Sequence, residues 1–191
     1  MNTGRLEAFS DGVIAIIITI MVLELKVPHG EDLSSLLPLA PVLGSYVLSF
    51  IYVGIYWNNH HHLLHAVSRI NGAVLWANLH LLFWLSLVPF VTTWTGETHF
   101  ARMPVICYGA VLLMAGIAYF VLARTLIASE GADSTLAKAI GTDKKGILSI
   151  VFYCLAIALA FFNPWLSMAI FALVALMWLV PDQRIERTLT K

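Results

Sequence analysis

Apolar positions run in long blocks along this chain, without the alternation that a membrane barrel requires. Six windows of roughly 17 to 24 residues, approximately 6–26, 37–57, 71–94, 104–127, 146–162 and 165–181, are long enough to cross a hydrocarbon core about 30 Å thick. Unpaired backbone groups cost several kcal/mol each in lipid, so every such window is expected to be a helix. The pattern therefore predicts an all-α protein, an integral membrane six-helix bundle occupying residues 1–191 as a single unit. No Pro- or Ser-rich linker, low-complexity tract or internal repeat divides it. The polar stretch Ala128 to Lys145 reads as the connection between the fourth and fifth helices. Asn163-Pro164 reads as a turn so short that the fifth and sixth must be antiparallel neighbours.

Composition agrees: 60% of residues are apolar and 12% charged, about half the charged share of a soluble domain. Lysine and arginine orient the bundle. With a cytoplasmic N-terminus, Arg5, Arg69, Arg124, Lys138, Lys144, Lys145, Arg184, Arg187 and Lys191 fall inside, and of the 11 basic residues only Lys26 and Arg102 fall outside. Both termini are thus expected in the cytoplasm, with Glu24, Glu31, Asp32 and Glu97 on the outer loops. The first apolar run is too long for a cleaved signal peptide and ends at Glu24-Leu25-Lys26 without a small-residue cleavage site. Cys107 and Cys154 fall on different membrane segments and read as small hydrophobes. The chain is neutral overall, and no nucleic-acid partner is expected.

Two helix faces stand out. Ser45, Ser49, Tyr52, Tyr56 and Asn59 share one face of the second helix, where hydrogen-bonding side chains serve most simply as contacts between helices. On the first helix, at about 100° per residue, Ile16, Ile20 and Leu23 fall within about 60° of one another, flanked by Gly12 and Thr19. Asp11 points about 140° away from Ile16, so if the isoleucine stripe faces an axis then Asp11 faces the protein interior and needs partners. Donors at matching depth are Arg5, Asn58, Asn59, His60, His61, Asn71, Trp76, Asn78 and His80.

The segment Arg5-Leu6-Glu7-Ala8-Phe9-Ser10-Asp11 reproduces an R-x-x-x-F-S-D signature opening a first membrane helix, and the match continues through DGVIAIIITIMVLELKVP. In this the chain resembles the transmembrane protein 175 family, the lysosomal potassium channels and their prokaryotic relatives; the six-helix plan extends the resemblance over essentially the whole chain. A single six-helix repeat resembles the tetrameric prokaryotic form. The resemblance implies a non-P-loop potassium channel, and no T-V-G-Y-G filter occurs here. It further implies a homotetramer in the cell membrane, with potassium as permeant ion and no cofactor. Four copies of the first helix would surround the axis, closing it at Ile16, with Ile20 or Thr19 a turn outward and Leu23 beyond. Arg5, Phe9, Ser10, Asp11, Trp76, Asn78 and His80 would form the structural network of the signature. Thr19 either offers its hydroxyl to an ion or bonds back to its own helix.

A histidine run, Asn58-Asn59-His60-His61-His62-Leu63-Leu64-His65, raises two other function classes. His61 and His65 share a helix face, as in histidine-box membrane metalloenzymes. Only His80 and His99 lie elsewhere in or near the membrane, and no carboxylate is close in sequence, so a di-metal centre is under-supplied and no metal is expected. A proton-coupled transporter using Asp11 and the histidines as a relay lacks the inverted repeat and paired broken helices of such proteins. Pro89 interrupts the third window. Trp57, Trp94, Trp165 and Trp178 fall near helix ends as an interfacial belt, whereas Trp76 is deeper and is expected to meet the Asp11 network.

Overall fold

A computed structural model describes residues 3–67, 69–131, 133–141 and 143–179. Arg184, Arg187, Lys191 and the last residues of the sixth window lie outside the described residues. Among the described residues there is no strand, and the helices are α1 (Thr3–Leu23), α2 (Ala40–His65), α3 (Gly72–Ser86), α4 (Val88–Glu97), α5 (Arg102–Glu130), α6 (Thr135–Ile140), α7 (Lys144–Ala160) and α8 (Pro164–Leu179). A 3-10 segment, Leu33–Leu39, runs directly into α2. Four stretches are long and apolar enough to cross a membrane: Thr3–Leu23, Leu33–His65, Gly72–Glu97 and Arg102–Glu130.

The boundaries follow local chemistry. Asn71 caps α3 by accepting from the Val74 amide, and the ring of Pro89 at the second position of α4 separates α3 from α4 at Leu87. Gly131, at φ 104°, ends α5 in a conformation that side chains rarely adopt. The polar connection holds one helix absent from the hydrophobic pattern, α6, capped by Ser134 accepting from the Ala137 amide. Asp143 caps α7 in the same way through the Gly146 amide. Pro164 then opens α8 immediately after α7, and the two helices pack against one another.

The largest departure is at α2, expected to end near residue 57 but helical through His65. Its polar run does not leave the protein, because His60, Leu63 and Leu64 are buried against neighbouring helices. The hydroxyl stripe of α2 is likewise turned inward. Ser49, Thr92 and Tyr108 form a chain of hydroxyls at 2.7 and 2.9 Å, joining α2 to α4 and α5, and Tyr52 donates to the Phe171 carbonyl at 2.6 Å, reaching α8. These are the interhelical bonds that hold a bundle together where no hydrophobic force separates helix from lipid.

Close packing adds to them at Gly96, where α4 meets α2. A Cβ there would stand 2.6 Å from both the Val42 Cα and the Ser45 Oγ, so the helices would have to part. Gly44, by contrast, has nothing within 4 Å of such a Cβ. Gly96→Ala is expected to destabilise the detergent-solubilised protein by about 1–3 kcal/mol through overpacking, while Gly44→Ala is neutral or stabilises by about 0.5–1 kcal/mol through helix propensity. Thermal unfolding of the two variants side by side checks the contrast; equal midpoints would remove the close contact.

Candidate functional site

Helix α1 divides cleanly into two faces. Leu6, Ser10, Ile14, Ile17 and Met21 are buried and pack it against α2, α3 and α4. On the other side stand Ile16 at 60%, Ile20 at 42% and Leu23 at 74% exposed, with Gly12 and Thr19 exposed beside them. The predicted stripe is therefore a continuous apolar ridge on the outside of this chain. The Thr19 hydroxyl donates to the Ala15 carbonyl at 2.8 Å. That bond uses its proton and leaves the oxygen lone pairs of Thr19 unspent.

Behind the ridge, α1 is fastened by a buried hydrogen-bond chain whose directions can be deduced. The Ser10 hydroxyl donates to the Leu6 carbonyl at 2.8 Å, so it must accept from the Asn78 amide nitrogen at 3.0 Å. The Asn78 Oδ1 then faces His60 Nε2 at 2.7 Å and can only accept, which makes Nε2 the protonated ring nitrogen. Three helices, α1, α2 and α3, are joined through groups that are fully buried. His60 Nδ1 has no partner; with the proton on Nε2 it is an unshared acceptor.

Asp11 lies on a different side of α1 from Ile16, half-buried, and accepts from the Trp57 indole at 3.0 Å. Trp57, expected in an interfacial belt, stands beside α1 through this bond. Of the signature network expected from the sequence, the structure joins Ser10 and Asn78, adds His60, and pairs Asp11 with Trp57. It does not join the others. Trp76 is 75% exposed and does not reach Asp11, so that expectation is corrected: α3 presents Trp76 outward while Asn78 points inward. His80 accepts from the Trp84 indole at 3.0 Å on its own helix, which occupies it there. Phe9 is 52% exposed, and Arg5 is exposed and makes no ion pair among the described residues.

Sequence reading also missed Glu7. Its carboxylate accepts from His61 Nδ1 at 2.8 Å and lies 3.3 Å from His65 Nε2, bringing an acidic partner to the histidine run from another helix. At the opposite end of α1, Lys26 pairs with Glu97 of α4. The hydrogen bond to Glu97, then its charge, holds the Lys26 ammonium above its ordinary pKa. The raised pKa means the pair is intact at neutral pH and is lost only as strongly alkaline conditions strip the proton. Both partners are exposed, so the pair positions the loop more than it stabilises the fold.

Helix α1 thus has one face packed and the other an exposed apolar ridge, with a buried polar network just behind the R-x-x-x-F-S-D motif. The family model for the endosomal/lysosomal potassium channel TMEM175 matches residues 5–89. A curated potassium channel of Chryseobacterium sp. (strain P1-3) is 58% identical over 189 residues, covering 99% of this chain and 98% of its own. A potassium channel of Chamaesiphon minutus is 34% identical over 192 residues, covering 92% of each. A crystal structure of a lysosomal potassium-selective channel TMEM175 homolog from Chamaesiphon minutus superposes with a TM-score of 0.83 at 33% identity, covering 94% of this chain and 97% of that one. The chain belongs to the TMEM175 family. These relatives are ion channels, and the histidine-box metalloenzyme expected as an alternative falls away: the protein is not an enzyme and needs no cofactor.

Proposed function

We propose that this protein is a potassium-permeable cation channel of the cell membrane. It assembles as a homotetramer in which α1 of each copy lines the pore. The six rods α1, α2, α3 with α4, α5, α7 and α8 span the bilayer, with both termini in the cytoplasm as the lysine and arginine distribution favours. One lining helix per chain cannot enclose a hole, so several copies must meet around an axis. The observation that carries this reading is the exposed ridge of Ile16, Ile20 and Leu23 on a helix whose other face is packed.

Rings of these side chains form the constriction. They replace few of the waters an ion sheds, so the gate works by dewetting and desolvation, and potassium, the less tightly hydrated ion, crosses at lower cost than sodium. The Thr19 oxygen, its proton directed to Ala15, offers lone pairs where an ion regains a ligand. Exposed Trp76, Leu79, Phe83 and Phe90 on α3 and α4 provide apolar surface for a neighbouring copy, and the Ser10–Asn78–His60 chain fixes α1 behind the ridge.

Reconstituted protein in a planar bilayer under opposed potassium and sodium gradients tests the function. Unitary currents reversing nearer the potassium equilibrium potential are expected. Saturable uptake without unitary currents would replace the channel with the transporter considered from the sequence.

A further inference from the structure

The Glu7, His61 and His65 side chains are not used by the pore. Glu7 lies one turn before Asp11 on α1, while His61 and His65 are one turn apart at the end of α2. Their ligand atoms, the Glu7 Oε1, His61 Nδ1 and His65 Nε2, all lie within 4.8 Å of one another. The two contacts to the carboxylate are 2.8 and 3.3 Å. A tetrahedral ion with ligands at about 2.0–2.1 Å sets neighbouring ligand atoms roughly 3.3 Å apart, so the three are already near the separation such an ion imposes. The His61 and His65 rings pack edge to face with centroids 4.2 Å apart. Exposure of 39% for His61 and 54% for His65 leaves a path from solvent, while Glu7 is the most covered of the three at 20%.

We propose that Glu7, His61 and His65 form a binding site for a divalent transition-metal ion of the zinc type, whose occupancy clamps α1 to α2 and alters conduction. Two imidazoles and one carboxylate with a fourth position open to water are a ligand set that such ions accept. Magnesium and calcium, which seek six or more oxygen ligands, are poorly served by it. The site crosses from the proposed lining helix to its packed neighbour, so the ion fixes the start of α1 relative to the Ser10–Asn78–His60 chain. Its effect on current rests on the channel reading; the binding itself does not.

The test uses full-length protein in detergent, stripped with a chelator and titrated with zinc alone. One saturable ion per chain is expected, and cobalt(II) at the same site should give the intense visible bands of a tetrahedral complex. Glu7→Gln and His65→Gln should each weaken zinc binding by at least about tenfold and abolish the cobalt bands; His62→Gln should change neither. Should Glu7→Gln fail to assemble, the exposed His65 carries the comparison. Absent saturable binding, or binding that survives both variants, overturns the site. Zinc added to the wild-type channel in a bilayer should change the potassium current reversibly with chelator and leave the His65→Gln current unmoved; specific binding without that change overturns the clamp. A metal-free protein that conducts nothing would instead count against the channel reading and leave the binding result standing.

Discussion

An Ile16→Asn channel is expected to carry a larger unitary current and to discriminate less between potassium and sodium than the parent. Ile16 is 60% exposed at the start of the ridge, and in the proposed fourfold ring its branched side chain would set the narrowest apolar passage. An amide there gives a partly dehydrated ion both room and a ligand oxygen. Lowering the crossing barrier by about 1–2 kcal/mol corresponds to a roughly 5- to 30-fold faster passage. Selectivity falls because the same ligand offsets the extra dehydration cost of sodium. Currents and reversal potentials under a potassium–sodium gradient measure both effects, and an unchanged reversal potential would take Ile16 out of the constriction. Ile17→Asn is the informative neighbour: Ile17 is 3% exposed, and an amide on that face damages packing, lowering the yield of folded protein instead of raising current.

Asn78→Leu is expected to reduce stability sharply with no direct contact to the permeation path. The leucine is close in size but strands one buried donor, the His60 Nε2 now 2.7 Å from Asn78, and removes the amide from which the Ser10 hydroxyl accepts at 3.0 Å. Leaving such groups unpaired costs about 1–3 kcal/mol each, although single interhelical bonds in membrane proteins average nearer 0.6 kcal/mol where alternative partners exist. Ser10 retains one alternative, the Leu6 carbonyl, and His60 does not, since its Nδ1 is also unpartnered. The loss should therefore come mainly from His60, on the order of 2–3 kcal/mol. A lowered thermal midpoint and a smaller assembled fraction by size-exclusion chromatography would register it. Ser10→Ala takes the acceptor from the buried Asn78 amide nitrogen and strands that donor alone, so it too should lower the midpoint, by about 1–3 kcal/mol; no loss would contradict the bond directions.

What was legible in advance is what one helix fixes by its own period. The exposed Ile16, Ile20 and Leu23 stripe is a property of helical periodicity alone, whereas Ser10 was named through the signature motif and stands on the buried face with Leu6, Ile14 and Ile17. Asn78 was named as a possible donor and meets Ser10. Partners that arrive across helices were harder. The spanning window of α2 was bounded near residue 57 with the histidines at its end; the helix runs on to His65, and that continuation brings His61 to Glu7 of α1. Trp76 was placed by depth, but depth does not fix azimuth, and α3 turns Asn78 inward and Trp76 out. Pro89 was visible as an interruption, and the helix resumes at Val88 because the missing amide of Pro89 falls in the first turn of α4, where no bond is lost.

The inward orientation of the α1 ridge is tested most directly by cysteine accessibility. Ile16→Cys, Ile20→Cys and Leu23→Cys, each made in a background lacking Cys107 and Cys154, should react with a water-soluble charged thiol reagent and lose current as they do. A potassium current that persists undiminished after exposure of all three positions, with modification and block appearing on another helix, would contradict a pore lined by α1.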